Sequence, residues 1–327
     1  MDSLEEMFRK LYDSSLREPV AEILELRKKQ RTKAMKVLAA TGVAALLCIP
    51  AALFITSLPD LWKLILWGIP VLFLLVFFWF FFGGKEEERR LFKTRILTKI
   101  VSAIDPGLAF HYNCCISEEA FDKTGLFPER IDRFSGEDCV SGSYHGVKLI
   151  FSELHAEKKT ESVDRNGHRT TIWQDVFRGV FLIADFQKNF KTRTFVFPDT
   201  AENLFGQLIG NFLQKWNFVR EGRMVRMENA EFETYFAVYA RDDAEARYLL
   251  SPKLMEQMVE LRKRFDARLS FSFTDSCLNV AIPSTRDFFE MPRNPDYDSL
   301  KRCLSEFLYF LRIIDELNLN VRIWSKK

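Results

Sequence analysis

Two histidines and a glutamate lie close together in a stretch with the composition of a β-strand: His145, Glu153 and His155. Side chains two residues apart in a strand point to the same face, so Glu153 and His155 could begin a metal site. Such a site needs three or four ligands with supporting groups, and the sequence has neither a second histidine pair nor a CxxC motif to complete it. We therefore predict that these residues end a strand at the surface and that no metal is bound.

Other reactive residues also lack the spacing that their chemistry requires. Cys114 and Cys115 are adjacent, which in an extended chain points them in opposite directions, so buried or half-buried thiols are favoured over a redox pair. The glycines form neither GxGxxG nor GxxxxGKS, which excludes the common phosphate-binding loops. The serines near the histidines lie in no GxSxG motif. We predict no catalytic residue and no cofactor.

The densest group of polar residues follows a short predicted strand and precedes a predicted helix. One interpretation is a solvated turn, with acidic residues favourable at a helix N-terminus and an ion pair made by Arg247. The other is a surface that contacts a partner or another part of the chain through amphipathic tyrosines. Both interpretations remain open for the candidate partner surface, which consists of Tyr239, Asp242, Asp243, Glu245, Arg247 and Tyr248.

Composition narrows the class of protein. The 327 residues exceed one average domain, so two or three units are expected. Lysine and arginine total 47 against 45 acidic residues, and the resulting net charge of +2 offers nucleic acid no attractive field. Six cysteines without the spacing of a small disulfide-stapled domain indicate a reducing compartment.

Two apolar runs, residues 34–56 and 64–82, predict a transmembrane hairpin over residues 34–83. Each run approaches the ~20 residues that cross a bilayer as a helix, and the second has no charged residue. A cleaved signal peptide is disfavoured because more than thirty mostly polar residues precede the first run. Since lysine and arginine flank both runs and the turn between them holds only Lys63, both termini are expected in the cytoplasm.

Outside the hairpin, the periodicity predicts an α+β protein. Residues 1–33 form an amphipathic helical arm and residues 84–107 a helical stalk, and we expect the apolar faces of arm and stalk to pack together. Two soluble α+β subdomains, built from antiparallel strands and helices, are predicted over residues 108–216 and 217–327. Within them, residues 144–154 and 170–186 form a long hairpin around Asn166 and Gly167.

Several segments together resemble domain of unknown function family 3137. They are FRGVFLIADF at residues 177–186, FVFPD at 195–199, EARYLL at 245–250 and LNLNVRIW at 317–324. The resemblance implies an uncharacterised bacterial protein with two membrane spans and a cytosolic domain, located in the inner membrane. It supplies no functional residue, and it hints at an association with LemA-like membrane proteins.

The resulting functional hypothesis is a membrane-anchored cytosolic module that binds a protein partner or assembles with itself. An enzyme with an unrecognised site, such as a hydrolase, is the first alternative. A transport accessory or small channel subunit is the second, and it is disfavoured because the predicted spans lack the ionisable residues that mark ion pathways. The expected partners are the lipid bilayer and a protein, and nucleic acid is not expected.

Overall fold

The computed structural model describes residues 2–54, 59–163, 169–186, 188–199, 223–317 and 319. The chain divides into two compact units. Unit 1 comprises Met1–Lys99 and Glu290–Lys301, and unit 2 comprises Ile100–Phe289 and Arg302–Lys327. The boundary predicted between residues 216 and 217 falls in a stretch that lies outside the described residues and stays a prediction.

The N-terminal part of the chain is helical. Helix α1 covers Asp2–Leu11, and a π-helical stretch at Tyr12–Leu16 continues it into α2, Arg17–Phe54. Helix α3 covers Asp60–Leu91, and a second π-helical stretch, Phe92–Leu97, leads into α4, Thr98–Ile104. Among the described residues, no helix combines enough length with enough apolar character to cross a membrane. The predicted transmembrane hairpin is therefore not confirmed.

The arm and the stalk pack against each other, as predicted. The arm buries Phe8, Leu16 and Ile23, and the stalk buries Phe92 and Ile96. Polar contacts flank these side chains: the Arg95 guanidinium lies 2.7 Å from the Glu22 carboxylate, and Lys99 donates to the Ser15 carbonyl at 2.9 Å. Much of the apolar stripe of each helix is thus buried within one chain, although Leu4 is 37% exposed.

A segment from the far end of the sequence completes unit 1, which the local sequence patterns did not predict. The ring of Tyr297 lies 5.2 Å from the rings of Phe8 and Tyr12. The carboxylate of Glu290 lies 3.3 Å from the Lys93 ammonium, whose side chain is fully buried. Residues 290–301 therefore contribute both aromatic packing and a counter-charge to the helices.

Within the described residues, unit 2 is built on a nine-stranded sheet, with strand order β1-β2-β3-β4-β9-β8-β5-β7-β6 and antiparallel pairing throughout. The α+β class is confirmed. The strands are β1 Leu108–His111, β2 Arg133–Tyr144, β3 Val147–Val163, β4 Arg169–Asp185, β5 Thr194–Pro198, β6 Arg223–Val225, β7 Phe236–Ala240, β8 Ser270–Thr274 and β9 Cys277–Pro283. The other helices in the described ranges are α5 Glu118–Lys123, α6 Ala230–Tyr235, α7 Asp243–Leu249, α8 Pro252–Phe265 and α9 Tyr297–Glu316.

Alternating side chains give the sheet two apolar faces. On one face, Phe151 of β3 lies 5.8 Å from Phe310 of α9, ring centre to ring centre. On the other, Phe121 of α5 lies 4.9 Å from Phe181 of β4. Both faces of the sheet thus contribute to the core, and the second face also borders the cleft described below.

The long hairpin of β3 and β4 is confirmed, although its turn, Asn166 and Gly167, lies outside the described residues. Capping by Asp199 or Thr200 also predicts a helix that ends near residue 216, and residues 200–216 lie outside the described residues. Strands from the two predicted subdomains share the sheet: β4 pairs with β9, and β5 lies between β8 and β7.

Candidate binding cleft

The three residues considered as the start of a metal site point to three different partners. His145 lies in the turn between β2 and β3, and its Nδ1 atom is 3.0 Å from the Asp315 carboxylate. The Glu153 carboxylate accepts a 2.7 Å hydrogen bond from the backbone N–H of Phe288. The Nε2 atom of His155 lies 2.8 Å from the Asp175 carboxylate. The structure does not bring these three residues together.

A different set of potential ligands surrounds His155. Ligand atoms of His155, Glu157 and Asp175 all lie within 4.8 Å of one another, because Glu157 pairs with Asp175 across β3 and β4. The Arg133 guanidinium, however, lies 3.4 Å from Glu157 and stacks 3.8 Å above the Trp173 ring. That cation already balances Glu157, so we interpret the group as an ion-pair cluster that ties β2, β3 and β4 together.

The candidate partner surface is spread between the surface and the core. Tyr239 is only 6% exposed and belongs to the apolar core, which removes it from any surface. Tyr248 is 49% exposed, with the Lys188 ammonium 5.3 Å above its ring. The strand burial of Tyr239 follows from its position in β7, where every residue is buried.

The acidic residues of this surface have local structural roles. Asp242 caps helix α7 by accepting hydrogen bonds from the backbone N–H groups of Ala244 and Glu245. Asp243 pairs with Arg223 at 2.8 Å, and Arg247 lies 3.8 Å from Glu228. The interpretation as a turn with an Arg247 ion pair fits these contacts, while binding of a partner here stays a prediction.

Glu245 holds a neighbouring loop. Its two carboxylate oxygens accept 2.7 Å hydrogen bonds from the backbone N–H groups of Lys191 and Thr192, and the Thr192 hydroxyl donates to it as well. Burial raises the pKa of Glu245, but these hydrogen bonds to the ionised form outweigh it, so the net pKa is lowered.

The cysteines near β1 and β2 differ in burial. Cys115 is half-buried as predicted, whereas Cys114 is exposed. Burial raises the pKa of the Cys139 thiol to about 12, with Cys114 nearby adding to the effect. Protonated thiols are weak nucleophiles, so Cys139 is unsuited to thiolate chemistry at neutral pH.

A cleft of about 720 Å³ lies in unit 2 beside the middle of β4 and the ends of β5 and β9. Apolar side chains, including Phe127, Val176, Phe177 and Phe197, form much of its lining. Four basic side chains and two acidic ones also line it. The basic residues are Lys158, Arg178, Arg268 and Arg286, and the acidic ones are Glu129 and Asp175.

Two backbone features shape the cleft. Val176 is an extra residue on β4, since Ala156 pairs with Phe177 and Glu157 already pairs with Asp175. Such a bulge bends its strand and increases the local twist. Beyond it, Gly179 pairs with Pro283, the last residue of β9, so the chain after Pro283 is free to form the opposite wall.

Sequence reasoning did not identify this cleft. Its lining comes from the segment after α5, from β3, β4 and β5, and from the residues that flank β8 and β9. These segments are far apart in the sequence and come together only through the strand order of the sheet, so no local residue spacing predicts the cleft. The one local signal is Arg178 next to Phe177 at the start of the family-like FRGVFLIADF segment.

The comparisons with known proteins identify one family. Residues 175–319 match the model described as "Protein of unknown function (DUF3137)". No curated protein and no solved structure matches the chain. The match begins at the β4 bulge and includes the cleft residues on β4, β5, β8 and β9.

Proposed function

We propose, for this chain whose residues 175–319 belong to domain of unknown function family 3137, the role of a membrane-anchored interaction module. In this proposal α2 and α3 insert into the bacterial inner membrane as a hairpin. Both termini and the sheet domain then face the cytoplasm, where the domain binds a protein partner, such as a LemA-like membrane protein, or a second copy of the chain.

The observation that carries the proposal is the exposure of large apolar side chains along both helices. Burying one such side chain contributes about 1.5–3 kcal/mol, so a surface with thirteen of them in the two runs strongly favours an apolar environment over water. In the first run, on α2, they are Met35, Leu38, Val43, Leu46 and Leu47, and in the second run, on α3, they are Leu64, Ile65, Val71, Leu72, Phe73, Leu74, Leu75 and Phe78. All lie within the two apolar runs of the sequence.

Charge supports the orientation. Basic residues precede the first apolar run and follow the second, whereas the turn between the runs contains only Lys63. Positive charge near a span favours the cytoplasmic side. The hairpin of β3 and β4 supports the interaction role, because Ile172 is 50% exposed and Trp173 is 38% exposed. Neighbouring residues of a strand point to opposite faces, so each face of this hairpin offers one exposed apolar side chain to a partner.

Topology reporters test the anchoring. We expect a reporter fused to either terminus to read as cytoplasmic, and one inserted beside Pro59 to read as periplasmic. Alkaline carbonate should leave the full chain in the membrane pellet. A periplasmic C-terminus, or release of the chain by carbonate, would contradict the proposal.

Crosslinking in native membranes tests the interaction role. A stoichiometric partner or a homodimer captured by the parent should be lost with Ile172→Ser plus Trp173→Ser. The matched control is Thr170→Ala plus Thr171→Ala, which changes polar positions of the same exposed strand. If both double variants capture the partner equally well, the partner does not bind at this hairpin.

A further inference from the structure

We propose that the cleft in unit 2 binds a small amphipathic anion, with an apolar body and one carboxylate or phosphate group. Its volume of about 720 Å³ lies within the range of roughly 300–1,000 Å³ that is typical of small-molecule sites. The inference does not depend on the membrane hairpin, since every lining residue lies in unit 2.

The apolar body would contact an aromatic wall. The rings of Phe127 and Phe177 lie 5.1 Å apart, ring centre to ring centre. Phe127, Val176 and Phe197 are half-buried, so each presents part of its side chain to the cleft. An apolar group placed there would remove these partly exposed surfaces from water, which is the main source of affinity in such sites.

The charge of the cleft favours an anion. Two of its four basic residues are balanced within the protein: Arg178 pairs with Asp287 at 3.0 Å, and Arg286 pairs with Glu306. The other two, Lys158 and Arg268, have no acidic side chain within ion-pair distance in the part of the chain that the structure describes. Of the two acidic lining residues, Asp175 is already in contact with His155, which leaves Glu129 alone against those two cations.

The position of Lys158 directs it toward the apolar wall. Lys158 pairs with Gln174 across the β3–β4 hairpin, two positions beyond Ala156, which belongs to the same apolar core cluster as Phe177. Alternation along a strand places Lys158 and Ala156 on one face and Lys159 on the other. Arg268 precedes β8 and lines the same cleft as Lys158. A ligand whose anionic head group lies between these two cations can place its apolar body on the aromatic rings. It would then use both the charged and the apolar part of the cleft.

The test uses the full chain in lipid nanodiscs and four small probes, with empty nanodiscs subtracted. Octanoate and octyl phosphate carry the apolar body with a carboxylate or a phosphate. Octanol lacks the charge, and acetate lacks the body. Calorimetric titration should show binding of octanoate or octyl phosphate at least about tenfold tighter than of octanol or acetate. The anion that binds more tightly identifies the preferred head group, carboxylate or phosphate.

Single variants locate the site. Lys158→Gln and Arg268→Gln should each weaken binding by about tenfold, as expected for loss of one charge-assisted hydrogen bond. Lys159→Gln is the matched control, since it removes the same charge from the other face of the same strand, and it should bind like the parent. Circular dichroism checks the fold, and if either cleft variant is misfolded, the other one decides.

Three outcomes would overturn the proposal: no binding of either anion, octanol binding as tightly as octanoate, or unchanged affinity in a folded Lys158→Gln or Arg268→Gln variant. Failure here would leave the membrane anchoring untouched, because reporters and carbonate extraction read that property separately.

Discussion

At the scale of single residues, Glu245 shows how a candidate surface residue can have a structural role. Its carboxylate accepts the backbone N–H groups of Lys191 and Thr192 and so fixes the loop before β5. The acidic cluster was visible in the sequence, but the sequence could not show where each carboxylate points. Tyr239 illustrates the same limit, because its burial depends on neighbours that are distant in the chain.

We predict that Glu245→Gln lowers the free energy of unfolding by about 1 kcal/mol at pH 7, since it weakens hydrogen bonds to a charged acceptor that is partly exposed. The folded-state pKa of Glu245 lies below its unfolded value of 4.5. Its contribution is therefore present above pH 4.5 and is lost as the pH falls through the folded pKa. Thermal unfolding of the detergent-solubilised chain should show a variant deficit at pH 7 that shrinks at pH 3.

Asp243→Asn is the control for this prediction. Asp243 forms an ion pair with Arg223, whose side chain is 72% exposed, and such surface pairs contribute about 0–1 kcal/mol. We expect its deficit at pH 7 to be smaller than that of Glu245→Gln. A deficit of Glu245→Gln that stays constant from pH 7 to pH 3 would show that the charge of Glu245 does not stabilise the loop.

Gly179 has a different structural role, because the backbone of residues 282–284 packs directly against it. Its φ of +147° is unfavourable for other residues, and an added Cβ would lie 2.1 Å from the Ile282 carbonyl oxygen and 2.7 Å from the Ser284 nitrogen. Gly179→Ala should therefore destabilise unit 2 by at least about 2 kcal/mol, measured by thermal unfolding. Gly42→Ala is the control, because nothing lies within 4 Å of a Cβ there. Equal stability of the two variants would contradict the close packing of β4 and β9.

At the scale of elements, local sequence patterns predicted much of the structure. The long β3–β4 hairpin follows from strand alternation around a turn pair, and the packing of arm and stalk follows from helical periodicity. Strand order could not be predicted in this way. The pairing of β4 with β9 joins residues about one hundred positions apart, and the local sequence of neither strand indicates which strand it pairs with.

The packing of arm and stalk is an element-scale prediction that can be tested directly. Glu22→Cys with Arg95→Cys should be joined by a short thiol-reactive crosslinker, because the two native side chains lie 2.7 Å apart. In a chain lacking the exposed Cys114 and carrying a protease site beside Pro59, crosslinked halves should stay together after cleavage. Leu24→Cys with Arg95→Cys is the control, since Leu24 is exposed and, two residues from Glu22, lies on another side of the helix and should not crosslink. If crosslinks appear only between chains, the arm of one chain packs against the stalk of another, and the intramolecular packing is wrong.

At the scale of the whole molecule, the proposal assigns different environments to its apolar surfaces. Unit 2 buries its apolar side chains between a sheet and its helices, whereas α2 and α3 expose theirs. A soluble helical pair with that surface would associate through it or aggregate. In a bilayer the same surface would contact hydrocarbon, and the basic residues that flank the two apolar runs would contact head groups.

A single charge placed on this surface distinguishes the two environments. Leu72 is 61% exposed near the middle of the second apolar run. In water, Leu72→Arg would be nearly neutral for stability, as most surface substitutions are. In the centre of a membrane helix, the same arginine costs about 2.5–3.5 kcal/mol on insertion scales. If α3 spans the membrane, we expect Leu72→Arg to reduce the fraction of chain that resists carbonate extraction.

Leu24→Arg provides the matched control, because Leu24 is also exposed, at 46%, but lies in the arm outside the apolar runs. It should fractionate with membranes like the parent. Leu72→Ala separates charge from side-chain loss and should also remain in the membrane. If Leu72→Arg instead fractionates like Leu24→Arg while the chain stays folded, α3 does not sit in hydrocarbon. The exposed apolar surface must then be covered by another protein surface, because water alone would leave it unfavourably hydrated.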